Sequence, residues 1–110
     1  MNGPTPRLEI FADRIHDNAR AIVHQCADHG IQVAAVTKVL HAHPALLRAL
    51  DDTGITMLAD SRLQNLRRIA ETGTSLPTLL LRAPGRHDID AAVQLADISL
   101  NSSLITMTAL

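Results

Sequence analysis

The stretch "GIQVAAVTKV", residues 30–39, decides how the rest of the chain is interpreted. From Ile31 to Val39 it is rich in β-branched residues and shows no polar alternation, which predicts a buried strand. Buried strands of this kind are typical of parallel sheets that helices cover. The stretch nevertheless carries a charge close to its end, because Lys38 is the first charged residue after Asp28.

Helix and strand patterns alternate on both sides of this stretch. Apolar residues spaced as on one helix face follow Asp13, a predicted N-cap, and Gly30 is the predicted stop of that helix. The predicted strands cover residues 31–39, 55–59, 78–81 and 98–100. The predicted helices cover residues 13–29, 44–52 with its start at Pro44, and 88–96, and a last helix begins in 102–110. Between the second and third strands, a further helix is capped by Asp60 or Ser61 and ended by Gly73.

Strands that alternate with helices at this spacing indicate βαβ units and an α/β fold with a parallel sheet. Parallel crossovers are right-handed, so four in succession form either an open doubly wound sheet or part of a barrel. The pattern alone does not separate these two architectures. In both of them, functional groups gather at the carboxyl ends of the strands.

The bulk composition narrows the class of protein. The chain has 110 residues, 46% hydrophobic and 19% charged, which suits one globular domain. A net charge of −1 argues against nucleic acid or an anionic membrane as a partner. No apolar run approaches the roughly 20 residues that cross a bilayer, and residues 1–7 lack the apolar region of a signal peptide. The single cysteine, Cys26, excludes an internal disulfide and predicts a cytoplasmic protein.

Polar side chains follow the predicted strands where each strand ends, and this coincidence is the physical evidence for a site. The residues at these ends are Thr37, Lys38, Asp60, Ser61, Arg62, Arg82 and Asn101.

Lys38 is the residue with the most distinctive chemistry. A lysine flanked by apolar residues is partly desolvated, which disfavours its ammonium form. The neutral amine is a nucleophile that forms a Schiff base with an aldehyde, including that of pyridoxal phosphate. The alternative, which is commoner for a lone lysine, is that the head group reaches solvent or pairs with Asp60.

The other charged residues allow several interpretations. Arg82 precedes a Pro–Gly loop. Three roles are open for it: binding a substrate carboxylate, binding the phenolate oxygen of a cofactor, or pairing with Asp60 or Asp88. A helix with Arg62, Arg67 and Arg68 is either a solvated face or an interaction module. The six histidines have no recognised ligand spacing, so no metal site is predicted.

Four stretches, "GIQVAAVTKV", "LADSRLQNL", "LLLRAP" and "ADISLNSSL", together resemble the fold-type III pyridoxal-phosphate enzymes that share the alanine racemase N-terminal barrel. The resemblance is nearest to the alanine/ornithine racemase branch, which acts on alanine or on basic amino acids. It implies that residues 1–110 are the N-terminal part, about four β/α units, of an incomplete (β/α)8 TIM barrel. It also implies pyridoxal phosphate as the cofactor, an amino acid as the small-molecule substrate and a homodimer for intact relatives.

The resemblance also implies roles for individual residues. Lys38 is the Schiff-base lysine and one of two acid–base groups, and Asp60, Ser61, Arg82 and Asn101 are cofactor-binding. Alanine racemases proper carry a tyrosine four places after the lysine, where this chain has Ala42, and that departure favours the ornithine-type branch.

The length of the chain sets a further expectation. A complete barrel takes about 250 residues, so we expect 110 residues to be weakly stable, to self-associate and to lack racemase activity alone. The alternative function is that of a non-catalytic single-barrel protein of pyridoxal-phosphate homeostasis. Such proteins often carry "FGEN" where this chain has "LADS". The sequence of this chain therefore favours the racemase branch.

Overall fold

A computed structural model describes residues 3–110 and confirms that strands and helices alternate along the chain. Two short 3-10 turns, Lys38–Leu40 and Arg86–Asp88, lie between these elements and do not change their order. The elements are α1 (Ala12–Ala27), β1 (Ala34–Val36), α2 (Pro44–Ala49), β2 (Met57–Asp60), α3 (Leu63–Glu71), β3 (Thr78–Leu80), α4 (Ile89–Leu95), β4 (Ile98–Ser99) and α5 (Leu104–Ala109).

The four strands form one parallel sheet in the order β1-β2-β3-β4. Each strand lies beside the one that precedes it in the chain, and the order never reverses. A doubly wound sheet reverses its strand order at a switch point, whereas a β/α barrel adds strands in one direction. The observed order therefore matches a partial β/α barrel. Because the strands are parallel, all four carboxyl ends lie at the same end of the sheet.

The hydrophobic core lies on one face of the sheet, where helices cover it. Leu58 and Leu80 point to this face and form a cluster with Leu66 and Ile69 of α3 and Ala92 of α4. Helices α1 and α2 contribute further side chains to the same hydrophobic cluster. The α1 side chains that pack against it are Ile15, Ala19 and Val23, and those of α2 that belong to it are Leu46 and Leu47.

The opposite face of the sheet carries an apolar row that is only partly covered. The parallel register places Val36 beside Ala59, Ala59 beside Leu79 and Leu79 beside Ile98. The outer members of this row, Val36 and Ile98, are 48% and 45% exposed. This face corresponds to the inside of a barrel that four strands do not close.

The dimensions of the molecule agree with an open sheet. Its accessible surface is 7948 Å², whereas a compact protein of its mass exposes about 6000 Å². Its Cα radius of gyration is 16.1 Å, against about 13 Å for a compact domain of this length. The chain therefore presents on the order of 2000 Å² more surface than a closed fold of its size.

The first predicted strand is shorter and more exposed than expected. The prediction was a buried strand over 31–39, but β1 covers only Ala34–Val36, and both Ala34 and Val36 are exposed. The reason is that β1 lies at the edge of the sheet with one face uncovered. An apolar run of β-branched residues does not distinguish an edge strand from a central one.

The predicted helix starts also need correction. Helix α1 begins at Ala12 after Phe11, so Asp13 lies in the first turn and is not the N-cap. Helix α3 begins after Arg62, so neither Asp60 nor Ser61 is its N-cap. Helix α5 starts at Leu104, with Ser103 as its N-cap. The start of α2 at Pro44 is as predicted.

Candidate active site

Lys38 lies directly beyond the carboxyl end of β1. The ladder between β1 and β2 extends one residue past the strand, because the Thr37 N–H donates to the Ala59 carbonyl at 3.0 Å. Lys38 then opens a 3-10 turn, and its side chain is exposed. The predicted desolvation is therefore wrong, because Lys38 lies in an exposed turn beyond the strand.

The suggested pairing of Lys38 with Asp60 is also wrong. Within residues 3–110 the Lys38 ammonium group forms no ion pair, and the residue is exposed. Lys38 is the only lysine in the sequence. Any covalent chemistry that needs a lysine side chain therefore depends on this residue.

Asp60, at the end of β2, is the centre of a buried hydrogen-bond network. Its Oδ2 accepts from the Thr37 hydroxyl at 2.7 Å. The Asn65 side-chain amide donates to both carboxylate oxygens at 3.1 Å. The Arg62 N–H donates to Oδ1 at 2.9 Å. The network thus joins the end of β1, the end of β2 and the first turn of α3.

The network saturates the carboxylate with neutral donors. Asp60 and Thr37 have no exposed surface, and Asn65 is 1% exposed. A carboxylate has about four acceptor sites, and a buried charge is tolerated only when hydrogen bonds replace its lost water. Asp60 therefore meets its hydrogen-bonding needs inside the protein, and its influence on a ligand would pass through Thr37 and Lys38.

The turn after Lys38 is tightly held and strained. The Thr37 carbonyl accepts from the Ala42 N–H at 3.1 Å, and the Lys38 carbonyl accepts from the His41 N–H at 3.2 Å. His41 and Ala42 adopt left-handed backbone conformations with φ of 52° and 51°, which cost about 1–3 kcal/mol each in residues other than glycine. Strain of this kind concentrates at functional sites.

Two further contacts fix this turn from outside. Arg68, on α3, is exposed, but its Nη1 donates to the His41 carbonyl at 2.9 Å, so it is more than part of a solvated face. His43 is the N-cap of α2 and accepts from the Ala45 N–H through Nδ1 at 3.0 Å. Lys38 therefore combines a fixed backbone with a free amine.

Ser61 and Arg82 share a groove at the carboxyl ends of β2 and β3. This groove has a volume of about 570 Å³, and Arg62, Pro84 and Gly85 also line it. Arg82 is exposed and, within the described part of the chain, pairs with neither Asp60 nor Asp88, so the ion pair suggested for it is wrong. Its guanidinium group is free to meet an anion.

Asn101 stands apart from the other predicted site residues. Its side-chain amide donates to Ser99 Oγ at 2.8 Å and to the Ser99 carbonyl at 3.3 Å. Its Oδ1 is buried and has no hydrogen-bond partner among the described residues. An unpaired buried amide oxygen is a place where a donor from a ligand or from another part of a protein would fit.

The structure thus brings the predicted residues into two groups at the carboxyl end of the sheet. Thr37 connects Lys38 to Asp60, the groove connects Ser61 to Arg82, and Asn101 belongs to neither group. Among residues 3–110, no group of three or more His, Cys, Asp or Glu side chains is arranged to hold a metal ion. No helix in that range is both long and apolar enough to cross a membrane.

One participant was missed in the sequence. Asn65 follows Asp60 by five residues and lies on the same face of α3 as the buried Ile69, four residues later. A polar amide at an apolar helix position, close after a strand-end aspartate, is the signal that could have revealed it.

Comparison with known proteins gives two informative similarities. The chain is 35% identical over 105 residues to an ornithine racemase of Acetoanaerobium sticklandii, covering 96% of this chain and 29% of that protein. It is 38% identical over 79 residues to a lysine racemase of Thermotoga maritima, covering 72% of this chain and 22% of that protein. The chain thus spans less than a third of the length of either relative. No protein-family model matches it, and no solved structure matches it.

Proposed function

We propose that this chain is the lysine-bearing part of a pyridoxal-phosphate-dependent amino-acid racemase that acts on a basic amino acid such as ornithine or lysine. The observation that carries the proposal is the position of Lys38, the only lysine, at the carboxyl end of the first strand in a chain similar to two racemases. Both relatives bear racemase names, so the non-catalytic alternative gains no support.

The residues at the carboxyl ends of the strands have the chemistry that pyridoxal phosphate requires. Lys38 offers an exposed amine on a fixed backbone, which suits covalent attachment to the aldehyde carbon. Arg82 offers an unpaired guanidinium beside an open groove, and Ser61 adds a hydroxyl, so both suit the anionic groups of the cofactor. The unpaired Asn101 Oδ1 would accept a hydrogen bond. When bound, the cofactor supplies an electron sink for the carbanion.

Racemisation removes the α-proton from one face of the substrate and returns a proton to the other. The Lys38 amine would hold or return the proton on one face. A second acid–base group is needed on the opposite face, and it is not a tyrosine of this chain, since the sequence has none. Because the chain spans less than a third of either racemase, we propose that racemisation needs residues beyond these 110, in a cytoplasmic homodimer of the intact protein.

Covalent trapping tests this proposal directly. The chain is incubated with increasing pyridoxal phosphate, reduced with borohydride and mapped by mass spectrometry. We expect saturable labelling of Lys38 in the folded chain and loss of that label in Lys38→Arg. The α-amino group of the chain serves as the internal reference for unassisted reaction with the aldehyde.

Two controls decide the result. Labelling in denaturant gives the intrinsic reactivity of Lys38, and pyridoxal without its phosphate tests whether anionic contacts assist binding. If Lys38 in the folded chain reacts no faster than in denaturant, and its labelling does not saturate, the proposed role of Lys38 is wrong.

A further inference from the structure

We infer that Thr37 and Asp60 are positioning residues for Lys38, and that the hydrogen bond between them sets the rate at which the Lys38 amine reacts with an aldehyde. The inference rests on the proposed function, in which that amine holds the cofactor. It assigns a role to a buried pair that makes no contact with solvent.

The first step of the argument concerns the backbone from which Lys38 extends. Thr37 is held through its N–H by Ala59, through its carbonyl by Ala42, and through its hydroxyl by Asp60 at 2.7 Å. Its backbone lies at φ −102° and ψ 0°, between the extended and helical regions. Thr37 is thus the pivot at which the strand changes into the turn, and the next residue is Lys38.

The second step concerns rigidity. The Lys38 side chain is long, flexible and exposed, so its own contacts do little to direct the amine. Precision at a reacting group then depends on the residues that hold its backbone, and locked supporting hydrogen bonds supply that precision. Asp60 is suited to this because its other acceptor positions are already occupied by Asn65 and Arg62.

The third step concerns the hydroxyl group itself. Valine has the shape of threonine but no donor, so Thr37→Val leaves Asp60 without one of its hydrogen bonds and frees the pivot. Thr37→Ser keeps the donor and removes only a methyl group. The two variants therefore separate the hydrogen bond from the volume of the side chain.

The experiment measures the rate of Lys38 labelling by pyridoxal phosphate and borohydride at several cofactor concentrations. We expect Thr37→Val to lower the maximal rate about tenfold or more, since small misplacements of reacting atoms are costly. The half-saturating cofactor concentration should stay within about twofold, because Thr37 and Asp60 are fully buried and would not touch the cofactor. Thr37→Ser should restore most of the rate. Asp60→Asn should slow it less than Thr37→Val does, because the asparagine side chain keeps one acceptor oxygen while its NH2 group cannot accept.

Thr78→Val is the matched control. Thr78 is also buried and donates to a backbone carbonyl at 2.7 Å, with Asp97 Oδ2 at 3.4 Å, but it lies at the opposite end of the sheet. A general loss of stability would affect both valine variants, whereas positioning of Lys38 would affect Thr37→Val alone. Circular dichroism establishes whether each variant is folded. If Thr37→Val does not fold, Asp60→Asn takes its place in the comparison.

The outcomes distinguish the inference from the proposed function. If the unaltered chain shows no saturable labelling of Lys38, the proposed function fails. If it does, but Thr37→Val and Asp60→Asn label at the original rate, the positioning role is wrong while the function stands. Equal rates for the serine and valine variants would also overturn the inference, because the hydroxyl would then be irrelevant.

Discussion

At the scale of single residues, Asp60 shows how a charge becomes part of the fold. Its carboxylate is fully buried and accepts hydrogen bonds from two side chains and one backbone N–H. Within residues 3–110 no cationic side chain pairs with it. The stability of this corner therefore depends on hydrogen bonds to neutral groups and not on an ion pair, and it should respond little to salt.

Replacing Asp60 with alanine should be among the costlier single changes in this chain. Asp60→Ala leaves the Asn65 amide and the Arg62 N–H without their acceptor, and it leaves the Thr37 hydroxyl with only the Ala59 carbonyl at 3.4 Å. We expect a loss of about 3–5 kcal/mol in the free energy of unfolding. Urea denaturation followed by circular dichroism measures it. Glu71→Ala, an exposed acidic residue on α3, is the control and should change stability by less than about 0.5 kcal/mol. Similar losses in both variants would contradict the structural role of the network.

His41 offers a change in the opposite direction. Its φ of 52° is unfavourable for a residue with a Cβ, and its side chain is exposed. We expect His41→Gly to raise the free energy of unfolding by about 0.5–1 kcal/mol, because the relief of strain exceeds the added chain entropy. Val39→Gly, in the same turn and 80% exposed, should instead lower it by about 0.5–1 kcal/mol. A destabilised His41→Gly variant would show that the histidine side chain stabilises the turn.

At the scale of elements, the contact between α1 and the loop before β2 is unusually close. Gly54 has φ +88°, and a Cβ at this position would lie 2.8 Å from Val23 Cγ1. Glycine is therefore required twice, by the backbone conformation and by the approach of the helix. This contact fixes where α1 packs against the rest of the core.

Gly54→Ala should accordingly cost about 2–4 kcal/mol, the sum of backbone strain and overpacking. Gly30→Ala is the matched control, since Gly30 also has a positive φ of +68° but no neighbour near the added Cβ, and it should cost about 1 kcal/mol. Adding Val23→Ala to Gly54→Ala should recover part of the loss in a double-mutant cycle. Additive losses in that cycle would show that Val23 and Gly54 do not meet.

The sequence predicted the elements well but not their surroundings. The alternation of strands and helices follows from apolar spacing and was confirmed, as was the start of α2 at Pro44. The burial of β1 was not predictable, because an edge position depends on what lies beside the strand. For the same reason the partners of Asp60 were missed, since Thr37 and Asn65 meet it only after the sheet forms. Lys38, Asp60, Ser61, Arg82 and Asn101 remain predictions as ligand-binding residues.

At the scale of the whole molecule, the uncovered face of the sheet dominates the expected behaviour in solution. The face carries the row from Val36 to Ile98, and both outer strands offer unpaired backbone groups at the edges of the sheet. Exposed edges and apolar faces promote association with other chains. The extra surface, on the order of 2000 Å², is comparable to that of a stable protein interface.

We therefore expect the isolated 110-residue chain to self-associate. The double variant Val36→Thr and Ile98→Thr keeps β-branched shapes but makes the face more polar, and it should shift the population toward monomer by sedimentation velocity. Ile22→Thr, on α1 and 54% exposed, is the control and should leave the distribution unchanged. If the control has the same effect as the double variant, association does not use the open face of the sheet.

The solitary lysine has a consequence for how the chain can be taken apart. An endoprotease that cleaves only after lysine has one target, the bond between Lys38 and Val39, and it lies in an exposed turn. Cleavage there would yield one piece with α1 and β1 and another with the remaining strands. The hydrogen bonds between β1 and β2, and the packing of α1 on α2, would oppose their separation. A single nick thus converts residues 1–38 into a separate peptide whose rebinding to the rest of the chain can be measured.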